Sequence, residues 1–250
     1  MGKLVWLASY PQSGNRWVRG FLYCLLRRAE TPPSLDDLRK LSLSDTDPAP
    51  YEQLAGRPID QLQPQEVHNL RSQVQAKMTE VHPNPVLVET ANAHASIGDV
   101  PLFSAEQTAG SVYVVRHPFT VAQALSQLSG MDLDKTIEAL NNPNFFPVFS
   151  RRSLPSFCGG WSDHVRSWGQ PAWPEHLVLR YEDLRDAPAE AFGRLTAMMN
   201  LQPSEAEILK AAELSRPEEP AAPLADLSDQ QRQRVAASHE EIMSAFGYQA

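Results

Sequence analysis

The sequence predicts an α/β protein in which helices pack on both sides of one central parallel sheet. Three observations carry that expectation. Four short apolar runs are spread along the chain, one starting at Leu4 and the others spanning Pro85–Thr90, Ser111–Arg116 and His176–Tyr181. Stretches of helical periodicity separate them, which implies parallel pairing through right-handed crossovers. The first run breaks at Tyr10-Pro11, turns through Ser13-Gly14-Asn15 and enters Trp17–Leu26, where apolar residues are spaced as one helix face.

Between the first and second runs, Thr31-Pro32-Pro33-Ser34 ends the first helix, and Ser34-Leu35-Asp36-Asp37-Leu38 has helix-start wording. A second start lies at Gln63-Pro64-Gln65-Glu66, with amphipathic content through Met78. We therefore expect a single domain over residues 1–250, with a polar helical insertion at about 31–82. Phe119 to Leu128 is helical, and Trp161 to Trp168 reads as a helix whose tryptophans belong to the core. Asn141 to Pro155 has no periodicity and reads either as an acceptor-site loop or as a packed connection. Helices follow at Ala187–Met199 and Pro203–Leu214, then a Pro- and Ala-rich connection from Arg216 to Leu227. Ser228-Asp229-Gln230-Gln231 caps a final helix reaching about Phe246.

Composition narrows the function. At 250 residues the chain can bury a full core, and 42% hydrophobic with 21% charged residues is a globular balance. A net charge of −8 argues against nucleic acid or an anionic membrane as the main partner, though it leaves room for a local basic pocket. No apolar run reaches membrane-spanning length, and no signal-peptide layout precedes the first strand. Cys24 and Cys158 read as reduced, buried thiols, so a cytoplasmic setting is expected. Oligomeric state is left open, and an oligomer is compatible with the sequence.

In parallel sheets the ligand lies beyond the C-terminal ends of the strands. That rule brings Tyr10 to Trp17, Glu89 to His94, Arg116 to Phe119 and Tyr181 to Asp183 around one crevice. The first of these loops aims backbone N–H groups and a helix dipole at one point, which suits a phosphate or sulfate. It is not a Walker A loop, because the second glycine and the Lys-Ser/Thr pair are missing.

The wording Tyr10-Pro11-Gln12-Ser13-Gly14-Asn15-Arg16-Trp17 resembles the 5′-phosphosulfate loop of cytosolic-type sulfotransferases. These enzymes use 3′-phosphoadenosine 5′-phosphosulfate (PAPS). Three further segments share the likeness. Val86-Leu87-Val88-Glu89-Thr90-Ala91 resembles the family's second strand, Val115-Arg116-His117-Pro118 its 3′-phosphate strand and loop, and Leu179-Arg180-Tyr181-Glu182-Asp183-Leu184 its fourth strand. The resemblance implies a three-layer, P-loop-like fold and a PAPS co-substrate without a metal. It implies that Ser13, Gly14 and Asn15 cradle the 5′ anion, that Arg116 holds the 3′-phosphate, and that Trp17 and Tyr181 approach the adenine.

The sequence also departs from the family. Gln12 stands where the family has its loop lysine, and Asn15-Arg16 where it has Thr-Thr or Asn-Thr. Glu89-Thr90-Ala91 replaces the Lys-Thr-His triplet, which removes the catalytic histidine. Ala124 replaces a 3′-phosphate serine, and no Arg-Lys-Gly loop is recognisable between Glu213 and Leu227, where Arg216 is the only cation.

Two readings follow. In the first, the site is rewired: Glu89 is the general base, Arg16 supplies the cation on the transferring group, and Gln12 occupies the third catalytic position. The sulfuryl group then passes to a hydroxyl or amine of a small-molecule or carrier-bound acceptor. In the second, Arg16 and Glu89 pair across a crevice that no longer works, and the protein is a binding or scaffold module; a transferase using another nucleotide donor is a separate alternative. His94 ranks below Glu89 as a base. His117 is expected near the nucleotide, His164 in the structure, and Glu182-Asp183 at the cap of the following helix rather than on a metal.

Overall fold

A computed structural model describes residues 3–148, 153–217 and 226–249. Its main sheet has five parallel strands: β1 (Leu4–Ser9), β2 (Leu43–Ser44), β3 (Val86–Thr90), β6 (Thr108–Val115) and β7 (Glu175–Arg180). They lie in the order β2-β3-β1-β6-β7. A small antiparallel pair, β4 (Ser96–Ile97) and β5 (Val100–Pro101), stands apart from this sheet.

β1 sits in the middle and is buried along its whole length. Side chains alternate across a strand, so its residues seed two half-cores. Leu4, Trp6 and Ala8 pack on one face with α4 (Pro64–Glu80), α5 (Pro118–Ser129), α6 (Leu133–Asn141), α7 (Trp161–Ser167) and α11 (Asp229–Ala245). Val5 and Leu7 pack on the other with α1 (Asn15–Arg27), α8 (Tyr181–Asp186), α9 (Pro188–Met198) and α10 (Glu205–Ser215). The result is the three-layer architecture that a central, doubly buried parallel strand demands.

Residues 31–82, expected to be a helical insertion, hold α2 (Leu35–Leu41), α3 (Ala49–Ala55) and α4, with a helix start at Gln63 and a capping box at Ser34. The segment is not purely helical. β2 pairs with β3 at the sheet edge, Ser44 opposite Glu89, and two residues are too few to leave an alternating signature. The connection between residues 141 and 155 is tied down at points but mostly exposed where it is described: Leu154 is buried and donates to the Thr46 carbonyl at 2.8 Å, and Phe145 accepts from Cys158 at 3.0 Å, while Phe146 and Val148 stand exposed. Residues 149–152 of that stretch, and 218–225 of the Pro- and Ala-rich connection, lie outside the described residues.

Two histidines carry the core's pH sensitivity. His164 has no exposed surface; its Nε2–H donates to the Ala91 carbonyl at 3.1 Å, and Nδ1 accepts the Tyr113 hydroxyl at 2.9 Å. His239 is 3% exposed, with Nδ1 at 2.8 Å from the Ser162 hydroxyl. Burial lowers each from the ordinary 6.5 to about 4. An unfolded chain takes these protons and the folded chain refuses them. Stability is therefore expected to fall as pH drops from about 6.5 to about 4, by about 3 kcal/mol for each residue. Carboxylates titrate in the same range, so the check is a comparison of urea unfolding at pH 7 and pH 4 in wild type and His239→Gln. The variant should lose less stability on acidification; equal losses would refute the assignment.

Candidate active site

The C-terminal ends of the parallel strands β1, β3, β6 and β7 lie at one end of the sheet, and the loop from Tyr10 to Gly14 leaves β1 there. Ser13 donates its N–H to the Tyr10 carbonyl at 3.1 Å, which closes the turn. Trp17 and Val18 both return their N–H groups to the Gly14 carbonyl, at 2.9 and 3.2 Å. The Asn15 and Arg16 amides have no intrahelical acceptor and mark the positive end of α1. Beside them the Ser13 hydroxyl, on a residue 1% exposed, has no hydrogen-bond partner. A buried donor of this kind beside a helix start is suited to an anion.

Gly14 makes the close approach possible. It caps α1 at φ 114°, in the left-handed region, and a Cβ there would lie 2.6 Å from Cδ2 of Tyr181. Gly14→Ala should therefore cost about 1–3 kcal/mol through backbone strain and displace the tyrosine. Urea unfolding measures the first effect; a loss under about 0.5 kcal/mol would contradict it.

Arg116 closes the crevice from the β6 side. Its guanidinium carbon sits 4.0 Å over the Tyr181 ring, its NH1 donates to the Gln12 carbonyl at 2.9 Å, and its Nε is buried without a partner. It is thus Gln12's backbone that meets the arginine, with the residue held at φ 66°, which is rare for a residue with a side chain. Tyr181 is half-buried, against Gly14 on one side and Trp17 on another, its ring 5.4 Å from the indole. Trp17 itself is 2% exposed, packs edge-on to Phe192 and donates its indole N–H to the Ala212 carbonyl at 3.3 Å. It touches the crevice through Tyr181 while its surface is spent in the core. Asn15 donates to the Leu7 carbonyl, which fastens the loop to β1, and its Oδ1 is buried without a partner.

Glu89 lies near the end of β3, which pairs with β1 in register, Leu7 opposite Glu89 and three residues ahead of Tyr10. Its expected partner, Arg16, is exposed; the ion pair is made one turn further along α1 by Arg19. Arg19 is 8% exposed and also donates to the Leu38 carbonyl at 3.2 Å. The pairing of Arg16 with Glu89 is thus corrected, and the reason is helix geometry. Position 19 faces the sheet, and position 16 faces outward at the helix start. Arg16 acts on the pair only through its charge, which helps lower the Arg19 pKa after burial has done so. Glu89 keeps 32% of its side-chain surface open. Burial raises its pKa, Arg19 opposes, and the charge of Asp45 adds to the rise.

Asp45 was not readable as a site residue. It follows β2, is 2% exposed, and its Oδ2 accepts from Thr90 and Asn92, each at 2.7 Å, with Arg71 NH1 3.6 Å away. These bonds fix the end of β3 on both sides of Ala91. A charge in a polar insertion is ordinary in sequence; only the burial distinguishes it, and a two-residue strand gives no warning of that.

Other candidates are placed elsewhere. His94 stacks among Phe103, Trp168 and Trp173, away from Glu89. Glu182 does not cap α8: it accepts the His117 N–H at 3.0 Å and the Tyr248 hydroxyl at 2.9 Å, and Asp183 pairs with Arg180 at 3.2 Å. Among the described residues no three His, Cys, Asp or Glu side chains gather as a metal would require. None of the described helices is long and apolar enough to cross a membrane.

Comparisons with known proteins bear on the family and the fold. A family model described as a sulfotransferase domain matches residues 3–238. Among solved structures, mouse sulfotransferase SULT7A1 complexed with PAP is 15% identical, with a TM-score of 0.57, over 97% of this chain and 84% of that one. The sulfotransferase domain of the Synechococcus PCC 7002 olefin synthase is 16% identical, with a TM-score of 0.49, over 99% of this chain and 95% of that one. Retinol dehydratase with androsterone and inactive cofactor PAP is 15% identical, with a TM-score of 0.48, over 85% and 64%. A search of curated protein sequences finds no match.

Proposed function

The chain belongs to the sulfotransferase domain family, and from that premise we propose that it transfers a sulfuryl group from PAPS to a hydroxyl or amine of a small-molecule or carrier-bound acceptor. PAPS supplies the sulfuryl group on a phosphate leaving group; the chain's part is to bind, orient and move one proton. The observation that carries the reading is Glu89: a half-buried carboxylate of raised proton affinity, one strand from an anion cradle.

The residues fit the donor at its ends. Ser13, Gly14, Asn15 and the open amides of α1 would hold the 5′ anion, and the unpartnered Ser13 hydroxyl supports that. Arg116 would meet the 3′-phosphate; its own unpartnered Nε supports a polar ligand there. Tyr181 would border the adenine, with Trp17 behind it as packing support. Gln12 takes the place of a cationic side chain, so charge on the transferring group falls to Arg16, which stands exposed at the rim. Glu89 takes the proton from the acceptor as the new oxygen–sulfur or nitrogen–sulfur bond forms. Arg19 fixes one carboxylate oxygen and aims the other.

The Arg19–Glu89 pair also favours a second reading, in which the ion pair simply fills the crevice and the protein is a scaffold module. Calorimetry with 3′-phosphoadenosine 5′-phosphate (PAP), followed by PAPS turnover on a panel of alcohols and amines, separates the two. Micromolar PAP binding with turnover supports transfer. Binding without turnover supports the scaffold, and no binding at millimolar PAP overturns the nucleotide site. We place the protein in a cytoplasmic setting, consistent with two free, buried cysteines.

A further inference from the structure

Behind the Arg116 loop the C-terminal segment makes a set of bonds that packing alone does not require. Glu182, next in sequence to Tyr181, uses both carboxylate oxygens: Oε1 accepts the His117 N–H at 3.0 Å and Oε2 the Tyr248 hydroxyl at 2.9 Å. His117, next in sequence to Arg116, is held from the other side as well. Its Nε2–H donates to the Gln249 carbonyl at 3.0 Å, while Nδ1 accepts the Phe119 N–H at 3.2 Å and so caps α5. The Tyr248 ring is 7% exposed, 4.8 Å from the imidazole, with the Arg180 guanidinium 4.8 Å over its face. Arg116 and Tyr181 stack on one another, and each is the chain neighbour of a residue bonded to the tail.

We propose that residues 246–249 form a clip that sets the position of Arg116, with Tyr248, Glu182 and His117 as its positioning residues. None of the three touches the anion. They fix the backbone on either side of the Arg116–Tyr181 stack, so that the guanidinium is presented toward the 3′-phosphate without first having to be ordered. This rests on the reading of Arg116 given above. The clip matters for a nucleotide that carries the 3′-phosphate and not for one that lacks it.

That difference is the test. PAP and adenosine 5′-phosphate are titrated calorimetrically into wild type, Tyr248→Phe and His117→Asn. The first variant removes one hydroxyl and keeps the ring; the second keeps a helix cap and loses the bond to Gln249. Each should weaken PAP by up to about tenfold, the scale of one hydrogen bond, and leave adenosine 5′-phosphate within about twofold. Unfolding curves of the variants establish that they are folded. Equal weakening of both nucleotides would mean general damage and overturn the clip, as would unchanged affinity for both. Failure of wild type to bind PAP would overturn the nucleotide site itself, and the clip with it.

Discussion

Glu89→Gln is expected to lower sulfuryl-transfer turnover by about 10²–10⁴-fold while PAP affinity stays within about twofold. The amide keeps an acceptor for the Arg19 guanidinium but cannot take a proton from an acceptor hydroxyl. Wild-type turnover should fall as pH drops through the Glu89 pKa. Because burial and the Asp45 charge raise that pKa, the acid limb should lie above the ordinary glutamate value of 4.5. Asp45→Asn keeps an oxygen for Thr90 and Asn92 but removes the like charge, so the limb should move to lower pH. The measurement is kcat against pH with PAPS saturating. Turnover that survives Glu89→Gln undiminished would remove Glu89 from the chemistry.

Trp17→Ala is expected to lower the free energy of unfolding by about 3–5 kcal/mol, the range for deleting a fully buried large aromatic. The indole packs on Phe192 and Tyr181 and spends its N–H on the Ala212 carbonyl, so its removal opens a hole between α1 and α9, while that carbonyl keeps the Ser215 hydroxyl at 3.2 Å. Trp17→Phe should recover most of the loss. A urea midpoint unchanged in the alanine variant, with nucleotide affinity reduced instead, would place the ring at the ligand rather than in the core.

Much of this architecture was legible in the sequence because the signals were local. The apolar runs at Leu4, Val86, Ser111 and His176 lie within strands, and the Pro-rich breaks mark where helices begin. Topology predicts that four loops converge, and the contacts among Gln12, Arg116, Tyr181 and Gly14 join three of them; the segment from Glu89 to His94 takes no part in those contacts. What was not legible depended on side-chain direction. Arg16 and Arg19 lie on the same helix, and the turn each occupies decides which reaches Glu89. A charge amid Trp17-Val18-Arg19-Gly20-Phe21 was the available hint, since a helix seldom turns a lone cation toward the sheet without a partner. Asp45 gave no such hint. The short helix α6 was also missed; its start rests on one Asp132 side chain accepting the Lys135 N–H at 2.8 Å.

On the proposed function α1 performs three tasks within two turns: its first amides would face the anion, Arg19 pairs with the proposed base Glu89, and Trp17 fills the space beneath. Mutational libraries spread over residues 13–19 would thus be swamped by clones that fail to fold before any change in chemistry could be scored. Variation at residues 153–157, which meet Thr46 at the sheet's β2 edge, leaves that helix intact.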